Sequence, residues 1–282
     1  MAGRRSTAGT STAVGTPAGT LVFSHANGFP AGTYRLLFEH WRAAGWRVLA
    51  LPKFGHDAGY PVASNWPHSR NELIAFIERE APGEKVFLVG HSLGGYLSLL
   101  TACRRPELAT GLVLIDSPVL AGWRAHSVQV AKAARLIGRI SPGRVSKSRR
   151  THWASAEEAH AHYASKALFA RWDPRVLADY IAAGIEPDPD NGGVRLAFRR
   201  EVETRFYNTL PHHFGALLQR YPPQCPVAFL GGTRSAEVRQ VGLAETRAVT
   251  RGRVEWLDGT HLFPMEKPLE TAAAVLRLLA AA

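Results

Sequence analysis

The strongest chemical signal in the chain is a serine flanked by glycines, Gly90-His91-Ser92-Leu93-Gly94, with a further Gly95 behind it. Four apolar residues, Val86 to Val89, lead into this run, and Tyr96, Leu97, Leu99 and Leu100 lead away from it. That order reads as buried strand, sharp turn, helix. A serine on such a turn sits on strained backbone with its hydroxyl presented outward, and small neighbours let the adjoining segments come close. The chemistry this suits is nucleophilic attack. A serine hydroxyl is a weak nucleophile near neutral pH, so the reading demands a base within hydrogen-bond reach. The chain holds 12 histidines, and residue type alone does not choose among them.

The elements that must position these groups can be read along the chain. Residues 1–19 are rich in Gly, Ser, Thr and Ala, with two arginines but no apolar stretch, so a flexible tail is expected rather than a secretory signal. Thr20–His25 is the first strand and runs into the turn-forming loop His25-Ala26-Asn27-Gly28-Phe29-Pro30. Tyr34–Gly45 has helical spacing, with Leu37, Phe38 and Trp41 on one face. Trp46–Leu51 reads as a strand, Pro52–Pro67 as a long loop and Asn71–Arg79 as a helix. The helix after Ser92 is expected to end near Arg104, before the strand Gly111–Ile115. Strands at Pro226–Gly231 and Arg253–Leu257 and a helix at Pro268–Ala281 complete the pattern. Apolar strands without polar alternation are buried on both faces, which predicts an α/β protein with a mostly parallel central sheet flanked by helices. Between residues 119 and 222 the residues read as helices and turns with few strand signals. The expected organisation is therefore a core of residues 20–118 and 223–282, interrupted by a mainly helical cap at 119–222.

Composition narrows the function classes. With 46% hydrophobic and 20% charged residues, a packed globular core is expected rather than disorder. Two cysteines, Cys103 and Cys225, provide neither a disulfide framework nor zinc-ligand spacing, so a cytoplasmic location is expected. No apolar run reaches the roughly 18 residues of a membrane span. The net charge of +11 is concentrated: residues 119–156 carry eight Lys or Arg and no Asp or Glu. Ala125–Ile140 reads as an amphipathic helix with Lys132, Arg135 and Arg139 on a cationic side. Such a side suits a solvated face, the attraction of anionic acyl substrates, or shallow contact with an anionic bilayer. No nucleic-acid recognition motif accompanies the charge, so no specific nucleic-acid partner is expected. His160 and His162 diverge on a helix, His212-His213 lacks matching donors, and His56-Asp57 reads as a turn, so no metal is expected. No phosphate-cradling glycine loop occurs, so no cofactor is expected either.

Four features together resemble the α/β-hydrolase superfamily, in its capped, esterase- or lipase-like serine hydrolases. They are the HANGFP loop after the first strand, GHSLGG, the strand end Leu112-Val113-Leu114-Ile115-Asp116, and Gly259-Thr260-His261 leading into LFPMEKP. The resemblance covers the two core portions and leaves the cap unmatched. It implies Ser92 as nucleophile and His261 as base. It also implies an acid between them in chain order. The usual place for that acid, the turn after Pro226–Gly231, holds no Asp. Asp116, at a strand end that some branches such as haloalkane dehalogenases use, is preferred, with Glu237 as the alternative. Asp258 reads as a turn residue. The implied oxyanion donors are the backbone N–H groups of Leu93 and of Asn27, with Phe29 as alternative to Asn27. His25, Gly28 and His91 are expected to border the substrate. The implied reaction is hydrolysis of a small ester or acyl substrate, including lipid-like or anionic ones, through an acyl-enzyme. Hydrolysis of C–C or amide bonds by the same groups, or a weakly catalytic ligand-binding role, is the alternative. Dehalogenation is disfavoured because that branch attacks with Asp.

Overall fold

A computed structural model describes residues 18–120 and 146–281. The expected tail at 1–19 and the helix expected at Ala125–Ile140 lie almost wholly outside these residues. The sheet is built from β1 (Gly19–Ser24), β2 (Trp46–Ala50), β3 (Val86–His91), β4 (Ala109–Ile115), β8 (Val227–Gly232) and β9 (Val254–Leu257), in the order β2-β1-β3-β4-β8-β9. Every pairing is parallel. The mostly parallel α/β class read from the apolar strand runs is therefore the observed fold.

Both faces of the sheet are buried, as those runs require. In β1, Leu21 and Phe23 join one apolar cluster with Trp41, Val275 and Leu279, while Val22 joins the other with Leu88, Leu97 and Phe229. Helices α1 (Arg35–Ala43) and α11 (Pro268–Ala280) cover the first face, and Trp41 Nε1 donates to Ala272 O at 3.0 Å between them. Helices α2 (Pro67–Glu80) and α3 (Leu93–Arg104) cover the second face. Helix α2 starts four residues before its expected start because Pro67, with φ fixed and no N–H to lose, suits its first position. The chain before α1 first makes a single 3₁₀ turn, Ala31–Tyr34.

The described part of the segment between β4 and β8 holds more helix than strand, with one element that its residues did not signal. Besides α4 (Ala156–Ala164), α5 (Pro174–Gly184), α6 (Arg200–Asn208) and α7 (Phe214–Arg220), it carries a small antiparallel sheet. There β5 (His152–Trp153) and β6 (Ile185–Pro187) flank β7 (Val194–Leu196). Strands of two or three residues are too short to show alternation, so their pairing is decided by tertiary contact. Between β8 and β9 lie two short helices, α8 (Ala236–Val241) and α9 (Ala244–Thr250). A short helix α10 (Phe263–Glu266) follows β9.

The glycines around Ser92 are needed for close approach. A Cβ on Gly94 would stand 2.0 Å from Ser24 O, and one on Gly90 would stand 2.3 Å from Gly94 C. Both obstacles are backbone and cannot swing away. Gly94→Ala is therefore expected to abolish the cooperative thermal transition seen for the wild-type protein by circular dichroism. No helix among the described residues is long and apolar enough to cross a membrane.

Candidate active site

Ser92 sits between β3 and α3 with φ 53° and ψ −116°, a conformation that L residues rarely adopt. Asp116, just past β4, also has positive φ, 45°. Two strained non-glycine residues on adjacent strand ends mark a place where the fold overrides local preference. The backbone holds them in fixed relation: Ser92 N donates to Ile115 O at 3.0 Å, and Asp116 N donates to Leu230 O at 2.8 Å. Ser117 Oγ lies 2.9 Å from Ser92 O and occupies the space a Cβ on Gly95 would need.

His261 lies on the loop after β9 and is partly exposed. Its Nε2 is 3.0 Å from Ser92 Oγ, and its Nδ1 is 2.6 Å from Asp116 Oδ2. Asp116 is fully buried and receives two more donors, Gly232 N on Oδ1 at 2.8 Å and Ser235 Oγ on Oδ2 at 2.5 Å. Ser235 also caps α8, accepting from Val238 N at 3.2 Å. Glu237 reaches only 3.8 Å from His261 Nδ1 and stays about half exposed. Burial pulls the His261 imidazolium down, but the hydrogen bond and charge of Asp116, with the charge of Glu237, outweigh it and leave His261 above its ordinary range. Asp258 is exposed and pairs with Arg234 and Lys267 away from this chain of contacts.

The loop after β1 completes the site. Phe29 N donates to Ala26 O at 3.2 Å within this loop. Leu93 is the first residue of α3, where an N–H has no partner within the helix. The Asn27 side chain is itself anchored, its Nδ2 donating to Glu203 O at 3.0 Å. Gly28, at φ 83°, meets the inserted segment: a Cβ there would stand 3.0 Å from the Glu203 carboxylate. Phe29 packs on Trp172 and Tyr180. Tyr207, which the sequence reading passed over, lies among Glu203, Arg149 and Glu237, and burial pushes its phenol up.

His25 and His91, expected to border the substrate, are both fully buried. His25 Nδ1 lies 2.8 Å from Ala26 O, and its Nε2 accepts from Phe54 N at 3.0 Å. Burial lowers its pKa to about 4, so it is a neutral brace for the loop. His91 has both ring nitrogens engaged as well. Both imidazoles are thus hydrogen-bonded within the framework around the turn. His56 is a further brace, its Nε2 accepting from Arg199 N at 3.0 Å to tie the long loop to the inserted segment.

The basic segment is also less free than its composition suggests. Arg149 donates to Glu203 at 2.7 Å and to Tyr180 Oη at 2.6 Å, and Arg150 pairs with Glu158 at 2.6 Å. Arg124, Lys132, Arg135, Arg139 and Arg144 lie outside the described residues. For a metal ion, Asp116, Glu237 and His261 offer ligand atoms within 4.8 Å of one another. Those atoms are already committed to the Asp116–His261 contact and to Ser235 and Gly232. The set fits proton transfer better than ligation.

Comparison with known proteins bears on the family and the fold. The profile of the family described as serine aminopeptidase, S33, matches residues 15–182. Monoglyceride lipase of Mus musculus is 31% identical over 144 residues, 48% of each chain. The esterase Rv0045c of Mycobacterium tuberculosis is 35% identical over 99 residues, covering 34% of this chain and 32% of its own. The chain thus aligns with about half the length of the monoglyceride lipases it resembles. Among solved structures, E-2-(acetamidomethylene)succinate hydrolase superposes with a TM-score of 0.70 at 19% identity, covering 93% of this chain and 91% of that one. At that identity the likeness speaks for the fold. On the extent of the profile match, together with the fold, the chain belongs to the serine aminopeptidase S33 family of α/β hydrolases.

Proposed function

We propose that the protein is a serine hydrolase of carboxylic esters acting through an acyl-enzyme on Ser92. The observation that carries this reading is the unbroken contact chain Ser92 Oγ–His261 Nε2–His261 Nδ1–Asp116 Oδ2, at 3.0 and 2.6 Å. His261 takes the serine proton as Oγ attacks the ester carbonyl, then returns it to the departing alcohol. Asp116 holds the imidazole with Nε2 bare and stabilises the imidazolium. The N–H groups of Leu93 and Asn27 receive the oxyanion, where each such donor typically contributes about 3 kcal/mol. Water activated by His261 then releases the acid. Residues 119–222 act as a cap that sets specificity, and the lipase and esterase names of the relatives make monoacylglycerols the first substrate class to try. The two free thiols support a cytoplasmic setting.

A fluorophosphonate probe is expected to label the protein once, on Ser92, with no labelling of Ser92→Ala. Hydrolysis should follow across a chain-length series of p-nitrophenyl esters and monoacylglycerols. Absence of labelling would sink the serine-hydrolase reading. Turnover of aminoacyl p-nitroanilides without turnover of esters would move the assignment to amide bonds.

A further inference from the structure

His91 separates Gly90 from Ser92, yet it faces the interior. Its Nε2 is 2.9 Å from His261 O, and its Nδ1 is 2.8 Å from Tyr34 Oη. Tyr34, almost fully buried, also lies 3.2 Å from Ala26 N. The protons in this chain have one consistent assignment. A carbonyl only accepts, so His91 carries its proton on Nε2. Burial and the neighbouring His261 hold His91 well below its ordinary range, so its ring is neutral and Nδ1 is bare. Tyr34 Oη must therefore donate to Nδ1, and the same oxygen accepts the Ala26 N–H. The result is a directed chain, Ala26 N–H to Tyr34 O–H to His91 to the carbonyl of His261. It starts one residue before Asn27 and ends on the base. The ring contacts follow the same path: Tyr34 meets His91 edge-on at 5.9 Å, and His91 lies 5.1 Å from His261.

We propose that Tyr34 and His91 are positioning residues that lock the oxyanion loop to the His261 loop, so that oxyanion donor and base keep a fixed separation. The proposal rests on the serine-hydrolase reading above. Neither residue touches the reacting atoms. A buried polar group that loses its partner relaxes, and here relaxation would move either Asn27 or His261 out of line.

The test measures kcat and KM per fluorophosphonate-titrated site, which removes unfolded protein from the count. Tyr34→Phe is expected to lower kcat about tenfold or more with KM held within about twofold. His91 variants split the chain in two. In His91→Gln an amide N–H still reaches the position of Nε2 and keeps the link to His261. In His91→Asn only the Nδ1 position is filled, so that link is lost. Glutamine should therefore retain more kcat than asparagine at an equal melting temperature. If kcat per titrated site stays within twofold of wild type in all three variants, the residues are only structural and the proposal falls. If the two His91 variants lose activity equally, the link to His261 carries nothing and the proposal falls as well. Failure of the wild-type protein to take up the probe would instead refute the hydrolase reading itself.

Discussion

Asp116→Asn lowers kcat by about 10⁴-fold with KM little changed, the scale seen when a triad acid is made neutral. Asparagine keeps an oxygen for Gly232 N, but its amide would face His261 Nδ1 as a donor. The imidazole must then turn bare nitrogen toward residue 116 and carry its proton on Nε2, where it cannot accept from Ser92. Glu237 does not replace the lost acid, because at 3.8 Å from Nδ1 it contributes charge without a hydrogen bond. Glu237→Gln is accordingly expected to cost less than tenfold in kcat. Its signature is in the pH profile. His261 must be unprotonated to act, and Glu237 is one of the charges that raise its pKa. Removing that charge shifts the acidic limb of kcat/KM toward lower pH. Steady-state kinetics from pH 4 to 9 check both variants. Abolished activity in Glu237→Gln with activity kept in Asp116→Asn would reverse the assignment of the acid.

Arg149→Leu destabilises the protein by about 3–5 kcal/mol, the cost of stranding a buried charge. The guanidinium joins Glu203 on α6 to Tyr180 on α5 and Tyr163 on α4, so one side chain fastens three helices of the inserted segment. Glu203 is nearly fully buried, and burial already raises its carboxyl despite the opposing charge of Arg149. Without Arg149 its folded pKa rises further. The sign of the pH dependence follows. Below the unfolded pKa the carboxyl is protonated in both states and the charge penalty vanishes. As pH rises, the unfolded state ionises freely while the folded state resists, and stability is lost. Urea unfolding is therefore expected to show the largest deficit near pH 8 and a smaller one near pH 4. The double variant Arg149→Leu/Glu203→Leu should recover much of the loss. Because Glu203 O also holds the Asn27 side chain, Arg149→Leu should lower kcat as well.

What could be read from the sequence follows from the range of the forces involved. The core strands and the turn at Ser92 are local patterns in the sequence, since each apolar run buries both faces and small residues bracket the serine, although the contacts that require Gly94 and Gly95 come from Ser24 and Ser117, far away in the chain. His261 could be found only because the family resemblance gives it a place. Asp116 and Glu237 could not be separated in one dimension, since both carboxylates approach the same nitrogen and differ only in the fold, at 2.6 and 3.8 Å. The roles of His25 and His91 depend on burial, which residue type does not report. The basic run from 119 to 156 has no acid within it, yet Arg149 finds Glu203 by folding. The small sheet β5-β7-β6 is invisible for a related reason: His152 pairs with Arg195, and neither has the apolar alternation of a strand.

The bond from Ser92 N to Ile115 O has a consequence for how this catalyst can be changed. Ser92 and Asp116, the proposed nucleophile and acid, are spaced by the backbone of two neighbouring strands, a distance that no side-chain substitution retunes. His261 stands outside that ladder, on a loop of its own. Selection for a new substrate or a new pH range therefore has two adjustable parts to work on. Variation that alters catalytic alignment while preserving the fold will collect around residues 258–263 and the inserted segment. The ends of β3 and β4 will stay as they are.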